Sequence, residues 1–91
     1  MYLEIVTPEA TLFEGEVDSL AVPGVNGEFE MLNNHAPVVS LLTEGNVKVY
    51  GNISLPEEVA DKFAYFDKGV MLAINSGTIE MNYNKVIVLA D

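Results

Sequence analysis

The fold of this chain is decided by the run EVDSLAVPGVNGEFEML at residues 16–32. From Glu16 to Val22 acidic or hydroxyl side chains alternate with aliphatic ones, and the alternation resumes from Glu28 to Leu32. A period of two is that of a β-strand with one face in water. Pro-Gly and Asn-Gly between the two stretches are turn signals. The run therefore predicts two half-solvated strands separated by a turn.

The remaining residues continue the same pattern. Short runs that are apolar or alternating are separated by Gly, Asn and Pro, and they occupy residues 3–6, 10–14, 38–42, 46–50, 63–66, 70–74, 78–81 and 85–89. Many short strands with turn residues between them are typical of sandwiches and barrels. We therefore predict an all-β fold, an antiparallel β-sandwich or flattened barrel of about eight to ten short strands. The length predicts one domain over residues 1–91.

Residues 52–62 interrupt this pattern. Pro56 stands directly before Glu57 and Glu58, and a proline followed by acids is a signal for the first turn of a helix. The sequence predicts at most one short helical turn near residues 56–61, in what is the one candidate insertion.

The charge balance is strongly acidic. Four Lys and Arg residues stand against 14 Asp and Glu residues, for a formal net charge of -10 at pH 7. This charge repels a phosphate backbone and anionic lipid, so no nucleic acid and no lipid surface is expected as a partner. A basic protein partner suits the charge, and maintenance of solubility explains it equally well.

Signals for secretion or a membrane span are absent from the sequence. The first residues lack a basic region followed by an apolar run, and no stretch approaches the roughly 18–20 apolar residues of a membrane span. The chain has no Cys, which excludes disulfides and thiolate metal sites. We expect contact with a membrane only through a partner.

Catalytic groups are scarce. The chain has one histidine, His35, and neither a G-x-S-x-G elbow nor a phosphate-binding or dinucleotide-binding glycine motif. Ser40 and Asp67 are residue types that could join His35 in a triad, but nothing local places the three together. The acids within residues 57–61 lack the spacing of a calcium loop. We expect no enzyme activity, no cofactor and no metal site.

The stretch GEFEMLNNHAP at residues 27–37 resembles the signature of a known family. It is similar to the Gly-Glu-x-Gly-[Ile/Met]-Leu-Pro-x-His-x-Pro block in the β-domain of the epsilon subunit of F-type ATP synthases. LEIVTPE at residues 3–9, FEGEV at residues 13–17 and the sequence of residues 75–91 resemble the same domain, in the right order. The resemblance covers nearly the whole chain.

Some features depart from the family pattern. Glu30 stands where the family usually has Gly, Asn33 replaces the usual Pro, and Ser76 replaces the first Gly of a Gly-Gly pair. Residues 52–62 look like an insertion. The sequence also stops where the family usually continues into a two-helix C-terminal domain, so the resemblance is to a short form without it.

The resemblance implies a role without chemistry. Members of the family are non-catalytic rotor subunits of the central stalk that bind the gamma subunit and the ring of c subunits and couple proton flow to ATP synthesis in the F1Fo complex. It implies no cofactor, and attachment through the c-ring at the cytoplasmic face of the bacterial inner membrane. The implied interface with the c-ring and gamma consists of Gly27, Glu28, Glu30, Met31, Leu32, His35 and Pro37.

These residues also have structural interpretations. Glu28 can be a simple turn acid, His35 can shape its own loop through backbone hydrogen bonds, and Met31 and Leu32 can belong to the core. For the whole chain the alternative is a stand-alone β-sandwich that binds protein or carbohydrate. Such modules usually display aromatic side chains on one face, and here there is no Trp and no evident aromatic platform.

Overall fold

A computed structural model describes all 91 residues and contains ten strands and one short 3-10 helix, Ala60–Lys62. The prediction of an all-β fold is confirmed. The strands are β1 (Tyr2–Val6), β2 (Thr11–Glu16), β3 (Ser19–Gly24), β4 (Gly27–Met31), β5 (Val38–Leu42), β6 (Gly45–Tyr50), β7 (Phe63–Phe66), β8 (Gly69–Ile74), β9 (Gly77–Asn82) and β10 (Lys85–Ala90).

The strands form one curled sheet in the order β2-β1-β10-β9-β5-β3-β6-β8-β7, with β4 attached to β3. Every pair is antiparallel except β1 with β10, which run parallel. This parallel pair joins the first strand of the chain to the last. The curl brings the inner faces of the two halves together, as in a flattened barrel.

The core lies between these inner faces. Along β1 the odd residues Leu3 and Ile5 are fully buried, and along β6 Val47 and Val49 are buried, as the alternation predicts. Twenty-one buried hydrophobic residues make one continuous cluster. Strands such as β1, β6 and β10 contribute alternate side chains to it, so a period of two predicts most of this core. In β2 the consecutive residues Leu12 and Phe13 are both buried, at the point where the pairing of β1 with β2 shifts in register.

The prediction of one half-solvated strand from Glu16 to Val22 is wrong. The chain breaks at Val17 and Asp18, and all six residues of β3 are buried. The backbone N–H of Val17 donates to the Met1 carbonyl beside β1, whereas that of Asp18 donates to the Tyr50 carbonyl at the end of β6. These two bonds mark the point where the chain crosses between the halves of the sheet.

The turn prediction in the same region is partly wrong. Pro23 and Gly24 belong to β3, and the two-residue turn consists of Val25 and Asn26. Gly27 begins β4 with a φ of +117°, a value that favours glycine. The Asn-Gly signal therefore located the turn, while Pro-Gly did not.

Residues 52–62 connect β6 to β7 and pack against the core from outside the sheet. The 3-10 helix starts at Ala60, near the predicted helical turn, after turn residues 57–59. Ile53, Leu55 and Val59 are half-buried against the core, and Ser54–Pro56 line a groove together with residues 11–14 of β2. The segment thus lies beside β2 through Ser54–Pro56 and beside β7 through the 3-10 helix, and these two strands are the ends of the strand order. None of the helical structure has the length and apolar character that crossing a membrane requires.

Candidate protein-interaction surfaces

Strand β4 forms an acidic edge of the sheet. Glu28 and Glu30 are exposed and lie two residues apart, so their side chains share one face of the strand. The Lys48 Nζ atom of β6 lies 3.1 Å from Glu28 Oε1, on the same face. The hydrogen bond and the charge of Glu28 raise the pKa of Lys48 above its usual 10.5. Glu30 has no such cation partner.

The backbone of this edge is also open. Pro23 pairs with Glu28 and has no N–H to donate, so this is a position without hydrogen bonds between β3 and β4. The pair of Ala21 and Glu30 lies two residues further along both strands. Because hydrogen-bonded and non-hydrogen-bonded pairs alternate, this pair also lacks hydrogen bonds between β3 and β4. The N–H and C=O groups of both glutamates consequently point away from β3, toward the side where β4 has no neighbour. Charged side chains on an unpaired edge discourage that edge from pairing with another copy of the chain. This structural role is the alternative explanation for the two glutamates.

The loop of residues 32–37 follows directly after β4. Leu32 is 59% exposed, and His35 and Pro37 are exposed as well. The His35 N–H donates to the Leu32 carbonyl at 3.1 Å, and His35 Nδ1 lies 2.8 Å from the Ala36 carbonyl, so Nδ1 carries the proton that it donates. His35 therefore shapes its own loop through backbone hydrogen bonds.

Met31 differs from the other predicted interface residues. Its side chain points into the core and has no exposed surface. It pairs with Leu20 of β3, which is equally buried. Met31 supports β4 from inside and has no surface to offer a partner, so we leave it out of the proposed interface.

A second surface was not predicted from the sequence. It lies on the outer face of the half of the sheet that β2, β1, β10, β9 and β5 form. There the register aligns Leu41, Thr78, Leu89 and Val6 across β5, β9, β10 and β1. Leu41 is 64% exposed and Leu89 is 51% exposed. Val39, in the next row of the same face, is 76% exposed and lies opposite the exposed Glu80 of β9. We call this surface the apolar face. Solvent-facing rows of an antiparallel sheet usually carry polar side chains, so an apolar row indicates a contact.

The sequence did contain a signal for this surface. Strands β5 and β10 read VVSLL and KVIVLA, with apolar residues at both even and odd positions. Strands that are apolar on both faces are those covered on both faces. The core covers one face of these two strands, and the other face lacks a cover within the chain.

The same outer face becomes acidic toward its other end. Glu4 and Glu14 lie directly opposite each other on β1 and β2, and Lys85 Nζ is 3.7 Å from Glu4 Oε1. Partial burial raises the pKa of Tyr2 above its usual 10.0, and the charges of Glu14 and Glu4 raise that pKa further. Like charges in direct opposition are unfavourable in an isolated sheet.

No arrangement for catalysis was found. No group of three or more His, Cys, Asp or Glu side chains could hold a metal ion. The Ser40 hydroxyl donates a hydrogen bond to the Leu41 carbonyl, and His35 Nδ1 donates one to the Ala36 carbonyl. Each side chain is thus hydrogen-bonded to the backbone of the next residue. Asp67 lies in the turn between β7 and β8. These contacts do not join the three residues.

The fold and its surfaces define a β-sandwich domain with features typical of protein interaction: an acidic edge and an uncovered apolar face. Comparison with known proteins identifies the family. A family model described as the beta-sandwich domain of the ATP synthase Delta/Epsilon chain matches residues 1–91. The chain belongs to this family.

Individual relatives agree. The chain is 37% identical over 91 residues to the ATP synthase epsilon chain of Campylobacter concisus, of which it spans 60%. It is 36% identical over 89 residues to the ATP synthase epsilon chain of Chlorobaculum tepidum, of which it spans 86%. Among solved structures, a chain in the Tetrahymena thermophila mitochondrial ATP synthase central stalk/cring has a TM-score of 0.71 over 98% of this chain and 61% of that one, at 12% identity, which supports the fold.

Proposed function

We propose that this chain is a rotor subunit of the central stalk of a proton-translocating F1Fo ATP synthase, one that couples ion flow to ATP synthesis and catalyses nothing itself. The observation that carries the proposal is the pair of surfaces described above. One is apolar and uncovered, the other acidic, and they lie on different strands of one continuous sheet. A subunit that links two different partners needs two such surfaces.

The apolar face is the proposed contact with the gamma subunit. Val39, Leu41 and Leu89 are each more than half exposed, and removal of their apolar surface from water favours association. At the other end of the face Glu4 and Glu14 lie directly opposite each other, with Lys85 beside Glu4 alone. A basic side chain of gamma would complement the negative charge of this end of the face.

The acidic edge and the loop of residues 32–37 are the proposed contact with the polar loops of the c-ring. Glu28 and Glu30 lie at the edge, and Leu32, His35 and Pro37 are exposed beside it. Cationic side chains on the c-ring loops would form charge-assisted hydrogen bonds with the two carboxylates. Through this contact the chain sits at the cytoplasmic face of the bacterial inner membrane without inserting into it.

The continuous sheet suits the transmission of torque. Of the 53 backbone hydrogen bonds, 42 lie within the regular secondary structure, which is almost entirely sheet, and no buried polar side-chain atom lacks a partner. Packed interiors deform little under load. A domain of this kind can turn with both partners as one body.

Two experiments test the proposal. The purified chain mixed with folded gamma subunit should comigrate with it in size-exclusion chromatography and should show no ATPase activity alone. In reconstituted F1Fo, Glu28→Lys should lower ATP-driven proton pumping, whereas Glu57→Lys, an equal charge change on an exposed acid of the 52–62 segment, should not. Absence of comigration, or equal effects of the two substitutions, would favour the stand-alone binding module instead.

A further inference from the structure

The turn between β9 and β10 is unusually unfavourable for its sequence. Its two residues, Tyr83 and Asn84, both have positive φ, 52° and 59°. This conformation is common in two-residue hairpins, but it is normally occupied by Asn, Asp or Gly. Asn84 suits it, whereas a bulky aromatic residue such as Tyr83 does not. The fold alone would be served better by glycine at residue 83.

Hydrogen bonds from the backbone N–H groups of Tyr2 and Asn34 to Asn84 hold the turn, whereas the side chain of Tyr83 contributes none. The Tyr83 side chain is 94% exposed, the highest exposure among the large hydrophobic residues. Its hydroxyl makes no hydrogen bond to another residue. Unfavourable backbone conformations persist where a function requires the side chain. An exposed tyrosine held out from the surface has the chemistry of an interface anchor, because it combines an apolar ring with a polar tip.

The turn lies beside the loop that we assign to the c-ring. The backbone N–H of Asn34 donates to Asn84 Oδ1 at 2.8 Å, which joins the loop of residues 32–37 to the turn across 50 residues of sequence. Asn34 itself has a positive φ of 61°. The two segments therefore present Leu32, His35 and Tyr83 at one end of the sheet, as one surface.

We propose that Tyr83 is an anchor residue for the c-ring, seated among the polar loops of the ring when the loop of residues 32–37 docks there. This inference rests on the proposed function. The ring of Tyr83 would be buried on docking and its hydroxyl would bond to a polar group of the loops, which suits the amphipathic side chain of tyrosine. The hydrogen bond from Asn34 to Asn84 positions the turn against the loop.

The proposal predicts opposite effects of one substitution on stability and binding. In Tyr83→Gly the turn gains a residue that suits positive φ, so the Tm of the 91-residue chain should rise by roughly 2–6 °C. Its affinity for the detergent-solubilised c-ring, measured for the chain in complex with gamma, should fall about tenfold or more, as the loss of a hot-spot aromatic residue does. Tyr83→Phe, which keeps the ring, should retain most of the affinity.

Controls separate this inference from the proposed function. Tyr65→Ser removes an exposed tyrosine from β7 and should leave c-ring affinity unchanged, whereas Leu32→Asp should reduce it. If Tyr83→Gly binds the c-ring as the wild type does while Leu32→Asp does not, the anchor is refuted and the proposed function stands. A Tm that falls in Tyr83→Gly would also overturn the inference, because Tyr83 would then serve the fold. If the wild-type complex does not bind the ring at all, the proposed function fails together with the anchor.

Discussion

Replacement of Leu41 by serine is the perturbation that examines the apolar face most sharply. Complete burial of a leucine side chain contributes about 1.5–3 kcal/mol. Leu41 is 64% exposed in the chain alone, so its burial against gamma should contribute about 1–2 kcal/mol. Since 1.4 kcal/mol corresponds to a factor of ten, the Kd for gamma should rise about 5- to 30-fold in Leu41→Ser.

The assay is titration of gamma with wild type and variants, by calorimetry or biolayer interferometry. The matched control is Tyr65→Ser, because Tyr65 has the same 64% exposure but lies on β7, in the other half of the sheet. Thermal melting should place both variants within about 0.5 kcal/mol of wild type, as expected for exposed positions. An unchanged Kd in Leu41→Ser, or an equal loss in Tyr65→Ser, would refute the assignment of gamma to the apolar face.

Three further predictions concern the chain itself. Ile79→Ala removes a fully buried side chain and should lower the free energy of unfolding by about 2–5 kcal/mol in urea titration. Leu55→Asp places a charge against β2 and should expose the edge of that strand, which hydrogen exchange would detect as faster exchange in β2. Asn52→Asp, at an exposed residue of the same segment outside that groove, should leave the exchange rate of β2 unchanged. Because the folded pKa of Lys48 is raised above 10.5 by Glu28, the pair should stabilise the fold at lower pH and lose that contribution as pH rises through the folded pKa. Glu28→Gln should flatten this alkaline dependence of Tm, and an unaltered pH profile would contradict the pairing.

The strand positions were largely predictable because burial on one face imposes a period of two. Val47 and Val49 lie in the core for that reason, and the alternation of Glu28 and Glu30 with Phe29 placed the acids on the outside. The break at Val17 and Asp18 could not be predicted in this way. It depends on hydrogen bonds to Met1 and Tyr50, which are distant in sequence and become neighbours only after the sheet curls.

The candidate site was predictable only in part. The motif at residues 27–37 located the acidic edge and its loop, but alternation does not distinguish a buried interface residue from a core residue, and Met31 proved fully buried. The apolar face needs the register of β5, β9, β10 and β1, since Leu41 and Leu89 become neighbours of Thr78 only when those strands pair. The position of Tyr83 beside the loop depends on the same pairing.

The most direct measurement uses the absence of cysteine from the chain. Leu41→Cys and Glu28→Cys can each be treated with a short sulfhydryl-directed photocrosslinker in the assembled F1Fo complex, and the products identified by mass spectrometry. We predict that Leu41→Cys crosslinks to gamma and that Glu28→Cys crosslinks to the c subunit. Crosslinks of neither residue to these subunits, or the reverse assignment, would contradict the two-surface account.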